Sequence, residues 1–276
     1  MKILVTGANG YLGQGIVDHL LIQGHQVIAT DFSTTLVNRN AVKMDGDLFA
    51  LEDPYRFFGE PEVLLHLAWR DGFNHYADTH IEDIPKHFTF LQKMMASQIQ
   101  RIAMMGSMHE VGFFEGCIKE DTPCYPLSFY GVAKNTLREL LELLAKQHDK
   151  MFQWLRAYYI VGHSEYGNSI FSKITKAATA GQKEFPFTTG QNQYDFLNYE
   201  AFCEQVASVA GQSKVNGMIE ICSGKPEKLA DRVNRFIQEN DYQIQLLYGA
   251  FPDRPYDSKA VWGDFTKIQK ILSAGQ

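Results

Sequence analysis

The first 31 residues constrain the fold of this chain more than any other stretch. A short apolar run at residues 3–5 fits a buried parallel strand. Three glycines follow at the spacing G-x-x-G-x-x-G, namely Gly7, Gly10 and Gly13. Apolar residues at helical spacing then extend to Gly24, and a second apolar run ends at Asp31. This order predicts a strand, a glycine turn, a helix and a second, parallel strand.

Such a unit has the chemistry to bind a dinucleotide. Glycines let the backbone approach a pyrophosphate closely, and a helix start offers free N–H groups to the anion. Asp31 can accept hydrogen bonds from ribose hydroxyls and repels a 2′-phosphate, which favours NAD over NADP as the cofactor. A purely structural turn is the alternative, but the flanking strand, helix and acid favour the cofactor site.

Composition and charge exclude several classes of protein. The chain has 276 residues, 45% hydrophobic and 21% charged, which is typical of a soluble globular protein. Its net charge is −6 and it has no basic run, which argues against a nucleic-acid partner. The four cysteines lack metal-binding spacing, so we expect reduced thiols and no metal site. With no signal peptide and no membrane-length apolar run, the sequence predicts a cytoplasmic protein without membrane contact.

Strands and helices alternate through the first 162 residues. This alternation predicts an α/β fold, a Rossmann-type doubly wound parallel sheet that binds its ligand at the carboxyl ends of the strands. Further strands are predicted at 41–44, 62–66, 102–105 and 154–161, and helices at 83–98 and 128–148. We predict an NAD-binding Rossmann domain carrying the catalytic residues at 1–162. A smaller substrate-binding cap lobe, partly interleaved with it, is predicted at 163–276.

The cap lobe has a less regular pattern. Helices are predicted near 168–181, 199–210 and 227–238, and strands near 194–198, 218–221 and 244–247. The remaining residues are predicted to form a tail.

A second motif, Tyr130-Gly131-Val132-Ala133-Lys134, begins the long predicted helix. Residues four apart share a helical face, so Tyr130 and Lys134 can act on the same space. A nearby ammonium stabilises phenolate, which predicts a tyrosine pKa lowered toward neutrality. Ser107, at a strand end on the same edge, can hydrogen-bond a substrate oxygen. The alternative is a surface Tyr–Lys pair, which the nucleotide-binding start makes less favourable.

With these motifs the chain resembles the extended short-chain dehydrogenase/reductases, and among them the NAD-dependent nucleotide-sugar epimerase/dehydratase family. The resemblance implies a catalytic triad of Ser107, Tyr130 and Lys134, with hydride transfer at nicotinamide C4. Lys134 would also hold the nicotinamide ribose. It further implies a set of cofactor contacts: Gly7, Asn9, Gly10, Tyr11, Leu12, Gly13, Asp31, Asp47, Leu48, Leu67, Ala68, Trp69, Tyr130 and Lys134.

The resemblance extends into the cap lobe. Asn168 and Ser169 match a segment that contacts the sugar diphosphate, and residues 194–200 resemble an Arg-Asp-Phe signature in which Tyr194 replaces the arginine. Arg254 matches an arginine that binds the substrate diphosphate, a role that suits its planar fork. Taken alone, an arginine such as Arg254 is more often a solvated surface charge, and the resemblance makes phosphate binding an equal alternative.

Departures from the family pattern bear on the reaction. The Asp–Glu pair of the 4,6-dehydratases is replaced by Met108 and His109, which argues against a dehydratase. His109 stands where epimerases acting beside a ketone carry a cysteine, and an imidazole titrating near neutrality can serve as an acid or base there. A histidine hydrogen-bonded at the cleft rim is the alternative. We expect the other histidines near these motifs to be structural: His66, His75, His80 and His163.

Three functions are consistent with these motifs. The first is an NAD-dependent epimerase or related oxidoreductase acting on a nucleotide-activated sugar, and the second is a nucleotide 4-keto-6-deoxysugar reductase. The third, a non-catalytic dinucleotide-binding regulator, would not need the triad. The helices at 83–98 and 128–148 resemble those that form a dimer interface in this family, so the resemblance implies a homodimer. Packing on the sheet explains the apolar face of the second helix equally well.

Overall fold

The computed structural model describes residues 1–162, 169–252 and 258–274. Within these residues the strands are β1 (Lys2–Thr6), β2 (Gln26–Asp31), β3 (Val42–Asp45), β4 (Val63–His66), β5 (Arg101–Ser107), β6 (Gly116–Ile118), β7 (Met151–Ala157), β8 (Tyr159–Val161), β9 (Glu184–Pro186), β10 (Gln193–Asn198), β11 (Gly217–Ile221), β12 (Pro226–Lys228), β13 (Gln245–Leu247) and β14 (Ala260–Gly263). The helices are α1 (Tyr11–Ile22), α2 (Pro54–Phe57), α3 (Thr79–Glu82), α4 (Ile84–Met95), α5 (Phe129–Gln147), α6 (Ile170–Thr179), α7 (Tyr199–Ala210), α8 (Leu229–Glu239) and α9 (Thr266–Ala274).

The large sheet is parallel throughout, with the strand order β11-β7-β5-β4-β1-β2-β3. Successive strands run outward from β1 in one direction and from β4 in the other, so the order reverses between β1 and β4. A crevice opens at such a switch point, outside the carboxyl ends of the strands. The predicted α/β, doubly wound Rossmann-type fold is therefore confirmed.

Apolar residues explain why these elements form and pack. Ile3, Leu4 and Val5 are fully buried in β1, as expected for a parallel strand covered on both faces. Helices α1, α7 and α9 pack on one face of the sheet, and α2, α4 and α5 on the other. Helix α5 begins where the Ser128 hydroxyl accepts a hydrogen bond from Gly131 N (3.2 Å). No helix in the described ranges is long and apolar enough to span a bilayer.

One predicted strand, 154–161, is wrong, because the structure divides it into two strands in different sheets. Strand β7 ends at Ala157 between β5 and β11, whereas β8 pairs with β10. The chain turns at Tyr158, whose hydroxyl donates to Glu220 Oε2 (2.9 Å) on β11. The predicted tail contains strand β14 and helix α9, which the sequence analysis did not predict.

The second half of the chain contributes to both layers. Residues 199–221 supply α7 and the edge strand β11 to the large sheet, while β8, β10, β12, β14 and β6 form a second sheet. Asp195 on β10 ties together the chain after β11 and the end of β14. Its carboxylate accepts hydrogen bonds from Ser223 N (2.7 Å) and Gly263 N (3.2 Å). This second sheet and α6 and α8 surround an apolar core of their own.

Candidate active site

The glycine turn between β1 and α1 is closely packed against the loop after β4. Gly7 has a φ of +69°, and a Cβ there would lie 2.7 Å from Ala68 N. A Cβ on Gly13 would lie 2.3 Å from the Gly7 carbonyl oxygen. Gly10 caps α1 without a side-chain hydrogen bond, so the first N–H groups of the helix are left for another acceptor. The turn therefore fits the pyrophosphate of a dinucleotide.

Asp31 lies at the carboxyl end of β2, beside this turn. Its Oδ2 accepts a hydrogen bond from Asn9 N (3.1 Å), and the Asn9 side chain in turn accepts one from Leu36 N (2.8 Å). Asp31 thus holds the glycine turn through a hydrogen bond to its backbone, and it lies at the strand end where the sequence predicts ribose recognition. Asp47 is exposed and caps a 3₁₀ turn through Phe49 N (2.9 Å), while Leu48 beside it is buried.

Tyr130 and Ser107 come together as the sequence predicts, at the start of α5 and the end of β5. The Ser107 side chain acts on the Tyr130 phenol as a hydrogen-bond partner that lowers its pKa. Burial raises the pKa of Tyr130 to about 12, and the Ser107 hydrogen bond only partly offsets this rise. The predicted lowering of the tyrosine pKa toward neutrality is therefore wrong, because the effect of burial exceeds that of the Ser107 hydrogen bond.

Lys134 is fully enclosed and lies under Trp69. Its Nζ donates to the Met105 carbonyl oxygen (2.8 Å) and sits 3.7 Å from the centroid of the Trp69 ring, a cation–π contact. The same atom is 5.9 Å from the centre of the Tyr130 ring. Burial lowers the pKa of Lys134 to about 7, against the opposing effect of the Glu110 carboxylate. At neutral pH this amine is therefore protonated only in part.

Histidines surround the Tyr130 ring. His75 stacks on it with centroids 5.1 Å apart and 14° between the planes, and its carbonyl oxygen accepts Tyr130 N (3.0 Å). His80 lies 5.2 Å from the same ring and accepts a hydrogen bond from Trp69 Nε1 (3.0 Å). We expected both to be structural. Both contact the candidate catalytic tyrosine: His75 comes from an irregular segment and His80 from the short helix α3, and no sequence pattern indicates the path of this part of the chain.

His109 also faces this cluster, with its ring 4.3 Å from His75 and 6.1 Å from Tyr130. Burial, assisted by His75, lowers the pKa of His109 to about 4. The expected titration near neutrality is thus wrong, and at neutral pH the imidazole is uncharged and able to accept a proton or a hydrogen bond. Across the described residues, no three His, Cys, Asp or Glu side chains are grouped so that they could hold a metal ion.

His66, at the end of β4, is buried in a chain of polar groups. Its ring lies 2.7 Å from the Thr6 hydroxyl and 2.9 Å from His87 Nδ1. Burial holds the pKa of His66 well below its ordinary range and lowers that of His87 to about 3. Trp69 stacks on the His87 ring, with the ring centroids 4.7 Å apart, so this neutral histidine pair supports the indole ring that Lys134 contacts.

Glu110, which no sequence motif singled out, is fully buried directly behind Ser107. Its carboxylate accepts a 2.6 Å hydrogen bond from Ser107 N and forms a capping box with that serine. The signal was present, because Ser107-Met108-His109-Glu110 fits the pattern S-x-x-E of such a box.

Two of the three predicted substrate contacts, Asn168 and Arg254, lie outside the described residues. The third, Ser169, caps α6 by accepting a hydrogen bond from Ser172 N (3.1 Å). This cap explains a serine at position 169 without a ligand. Substrate binding at these three positions stays a prediction.

Comparison with known proteins places this geometry in a family. Residues 3–222 match the model of the NAD dependent epimerase/dehydratase family. A dTDP-6-deoxy-L-talose 4-dehydrogenase (NAD(+)) from Aggregatibacter actinomycetemcomitans is 42% identical over 269 residues, which are 95% of this chain and 99% of that protein. The NAD cofactor, the enzyme class and the resemblance predicted from the motifs agree with these matches.

Two solved structures share the fold. A UDP-glucose 4-epimerase from Thermotoga maritima with UDP-glucose has a TM-score of 0.82 and 22% identity, covering 98% of this chain and 92% of that chain. A UDP-glucuronic acid 4-epimerase from Bacillus cereus, in complex with UDP-glucuronic acid and NAD, has a TM-score of 0.82 and 19% identity, covering 99% and 93%. At such identities the likeness concerns the fold alone. Together with the family model and the full-length relative, it leads to one conclusion: the chain belongs to the NAD dependent epimerase/dehydratase family.

Proposed function

We propose that this protein is an NAD-dependent oxidoreductase that interconverts the C4 hydroxyl and C4 ketone of a nucleotide-activated 6-deoxy sugar. The observation that carries the proposal is the 42% identity, over nearly the whole of both chains, to a dTDP-6-deoxy-L-talose 4-dehydrogenase. Run in reverse, a 4-dehydrogenase is a 4-keto-6-deoxysugar reductase. The relative therefore favours the second function predicted from the sequence over the epimerase.

The residues of the site suit the cofactor. The glycine turn excludes side chains where a pyrophosphate would approach, and Asp31 is positioned for the ribose. When bound, NAD supplies the hydride acceptor or donor at nicotinamide C4. Oxidation converts the sugar alcohol and NAD⁺ into the ketone, NADH and one proton, so the protein has to move that proton.

In the proposed mechanism Tyr130 moves the proton and Ser107 holds the sugar oxygen. With a pKa of about 12, Tyr130 is a neutral phenol at pH 7, which is the state that protonates a ketone oxygen during reduction. Oxidation requires phenolate. We therefore expect kcat/KM for oxidation to rise with pH and that for reduction to fall, and Lys134 stabilises the phenolate whenever it is protonated.

The test is a turnover assay with dTDP-6-deoxy-L-talose and NAD⁺, following NADH by absorbance and the sugar product by mass spectrometry. Formation of one NADH per 4-keto product supports the proposal. Isomerisation of the sugar without net NADH would identify an epimerase instead. Absence of both reactions in a protein that binds NAD would refute the proposal.

The role of Tyr130 is tested by Tyr130→Phe, for which we expect kcat to fall by about 10²–10⁴-fold with little change in NAD affinity. Tyr76→Phe is a matched control, because it also removes one phenol hydroxyl near the start of α5. That hydroxyl donates a hydrogen bond to the Leu127 carbonyl oxygen (3.1 Å). Equal activities of the two variants would remove Tyr130 from the mechanism.

A further inference from the structure

The carboxylate of Glu110 is built into the interior behind the candidate catalytic serine. Glu110 is 0% exposed and lies on the 3₁₀ turn Met108–Glu110 that follows β5. Its Oε1 accepts Ser107 N at 2.6 Å, while the Ser107 hydroxyl accepts His109 N at 3.3 Å. These two bonds fix the backbone at the point where the strand ends.

Three neighbouring residues form a socket for this carboxylate. Trp154 Nε1 donates to both of its oxygens (3.0 and 2.9 Å), and Arg156 Nε lies 3.5 Å from Oε2. A Cβ on Gly106 would lie 2.1 Å from Trp154 Nε1 and 2.7 Å from Glu110 Oε1. Glycine at position 106 is therefore what makes room for the carboxylate under the strand.

The Lys134 ammonium also contacts this end of β5. It donates to the carbonyl oxygen of Met105, two residues before Ser107, so the cation and the Glu110 anion are held at one segment of β5. The negative charge of Glu110 raises the pKa of Lys134 and also that of Tyr130. Other charged and titratable groups also face Glu110, Lys134 and Tyr130. Around Lys134 and Glu110 they are His66 on β4, His87 on α4, Arg156 on β7, Glu220 on β11 and Cys124. Around the Tyr130 ring they are His75, His80 and His109.

We infer that Glu110 is a positioning residue of this site: its carboxylate holds the Ser107 backbone at the end of β5, and its buried negative charge favours the protonated forms of Tyr130 and Lys134. The inference rests on the proposed function for its catalytic consequence. Its electrostatic part concerns the ligand-free protein and is measured without substrate.

Two substitutions separate the two roles. Glu110→Gln removes the charge and keeps an oxygen that can accept Ser107 N, whereas Glu110→Asp keeps the charge but shortens the reach. The matched control is Glu220→Gln. Glu220 also forms an ion pair with Arg156 (3.0 Å), but it accepts a hydrogen bond from the Tyr158 hydroxyl and none from Ser107. In either glutamine variant Arg156 keeps one buried carboxylate partner.

The first readout is the titration of Lys134 by NMR of ¹³Cε-labelled lysine, with Lys134→Met to assign the signal. In Glu110→Gln we expect the Lys134 titration to move to lower pH by about one unit, and the kcat/KM profile to move in the same direction. In Glu110→Asp we expect the titration to stay near that of the wild type while kcat falls about tenfold or more. Glu220→Gln is expected to lower thermal stability and leave both profiles in place.

An unchanged Lys134 titration in Glu110→Gln overturns the inference, whatever the activity. A shift of equal size in Glu220→Gln also overturns it, because the effect would then belong to the charge network as a whole. If the wild type fails to turn over sugar nucleotides but Lys134 shifts as expected, the proposed function is wrong and the charge assignment stands. If Glu110→Gln does not fold, wild-type kcat in Glu110→Asp counts against the positioning role.

Discussion

We expect the buried Lys134 to lower the free energy of unfolding of the cofactor-free protein at low and neutral pH. Replacing this lysine with methionine tests the expectation. Burial lowers the pKa of Lys134 from 10.5 to about 7. At about 1.4 kcal/mol per pKa unit, the folded state disfavours the charged amine by about 5 kcal/mol relative to the unfolded chain. Met is unbranched and of similar length, so Lys134→Met keeps the packing under Trp69 and removes the charge.

The pH dependence has a definite sign. Below pH 7 the amine is protonated in both states, so the full penalty applies. Between about pH 7 and 10.5 the unfolded chain binds more protons than the folded one, so stability rises with pH by up to about 1.4 kcal/mol per pH unit. The variant lacks this slope. After subtracting about 1–3 kcal/mol for the lost hydrogen bond to Met105 O, we expect Lys134→Met to be about 2–4 kcal/mol more stable at pH 6.

The assay is urea unfolding of the cofactor-free wild type and variant from pH 6 to pH 9, comparing the free energies of unfolding. Groups common to both proteins cancel in the difference, which should shrink steadily above pH 7. Lys150→Met is the control, because the Lys150 ammonium also donates to a backbone carbonyl, Ser97 O (2.9 Å), but is only partly buried. A difference between wild type and Lys134→Met that is constant with pH would refute the reasoning.

Other predictions concern the cofactor site and the assembly. Gly13→Ala places a Cβ 2.3 Å from Gly7 O, so we expect a loss of about 1–3 kcal/mol in unfolding free energy and of NAD binding, whereas Gly72→Ala, with open space at its Cβ, should be silent in both assays. Asp31→Ser removes the charge that would repel a 2′-phosphate, so the ratio of NADP to NAD affinity in titration calorimetry should rise about tenfold or more; an unchanged ratio would contradict the role of Asp31. Leu143 on α5 is 64% exposed, and if the implied homodimer uses this helix, Leu143→Glu should halve the mass measured by light scattering without unfolding the protein. A monomeric wild type would contradict the dimer.

Local patterns in the sequence predicted the parts of the fold that depend on local chemistry. Helix α7 was predicted at its observed bounds, 199–210, because the apolar spacing and the glycine at its end coincide. The β1–α1–β2 unit was predicted for the same reason. The division of residues 154–161 into two strands was not, since Arg156 alone interrupts the apolar and aromatic run and no turn residue marks its middle. Whether such a run stays in one sheet is decided by its partners, here β11 and β10, which lie far along the chain.

The candidate site shows the same limit. The spacing of Tyr130 and Lys134 and the strand-terminal position of Ser107 predicted that these residues converge. His75 was not predicted to join them, because it comes from an irregular segment that carries no periodic signal. Its position depends on a backbone hydrogen bond to Tyr130 and on stacking, which are tertiary contacts.

The protonation states follow from burial more than from the spacing of charges. The sequence argument treated Lys134 as a full positive charge that lowers the Tyr130 pKa. In the structure both groups are desolvated, which favours the neutral form of each: the tyrosine pKa rises to about 12 and the lysine pKa falls to about 7. A lysine that is only partly protonated at neutral pH stabilises phenolate less than a full positive charge does. A bound group that brings positive charge to this site favours the phenolate of Tyr130 and the neutral form of Lys134, so measuring the Lys134 titration with and without NAD⁺ tests the contribution of the cofactor.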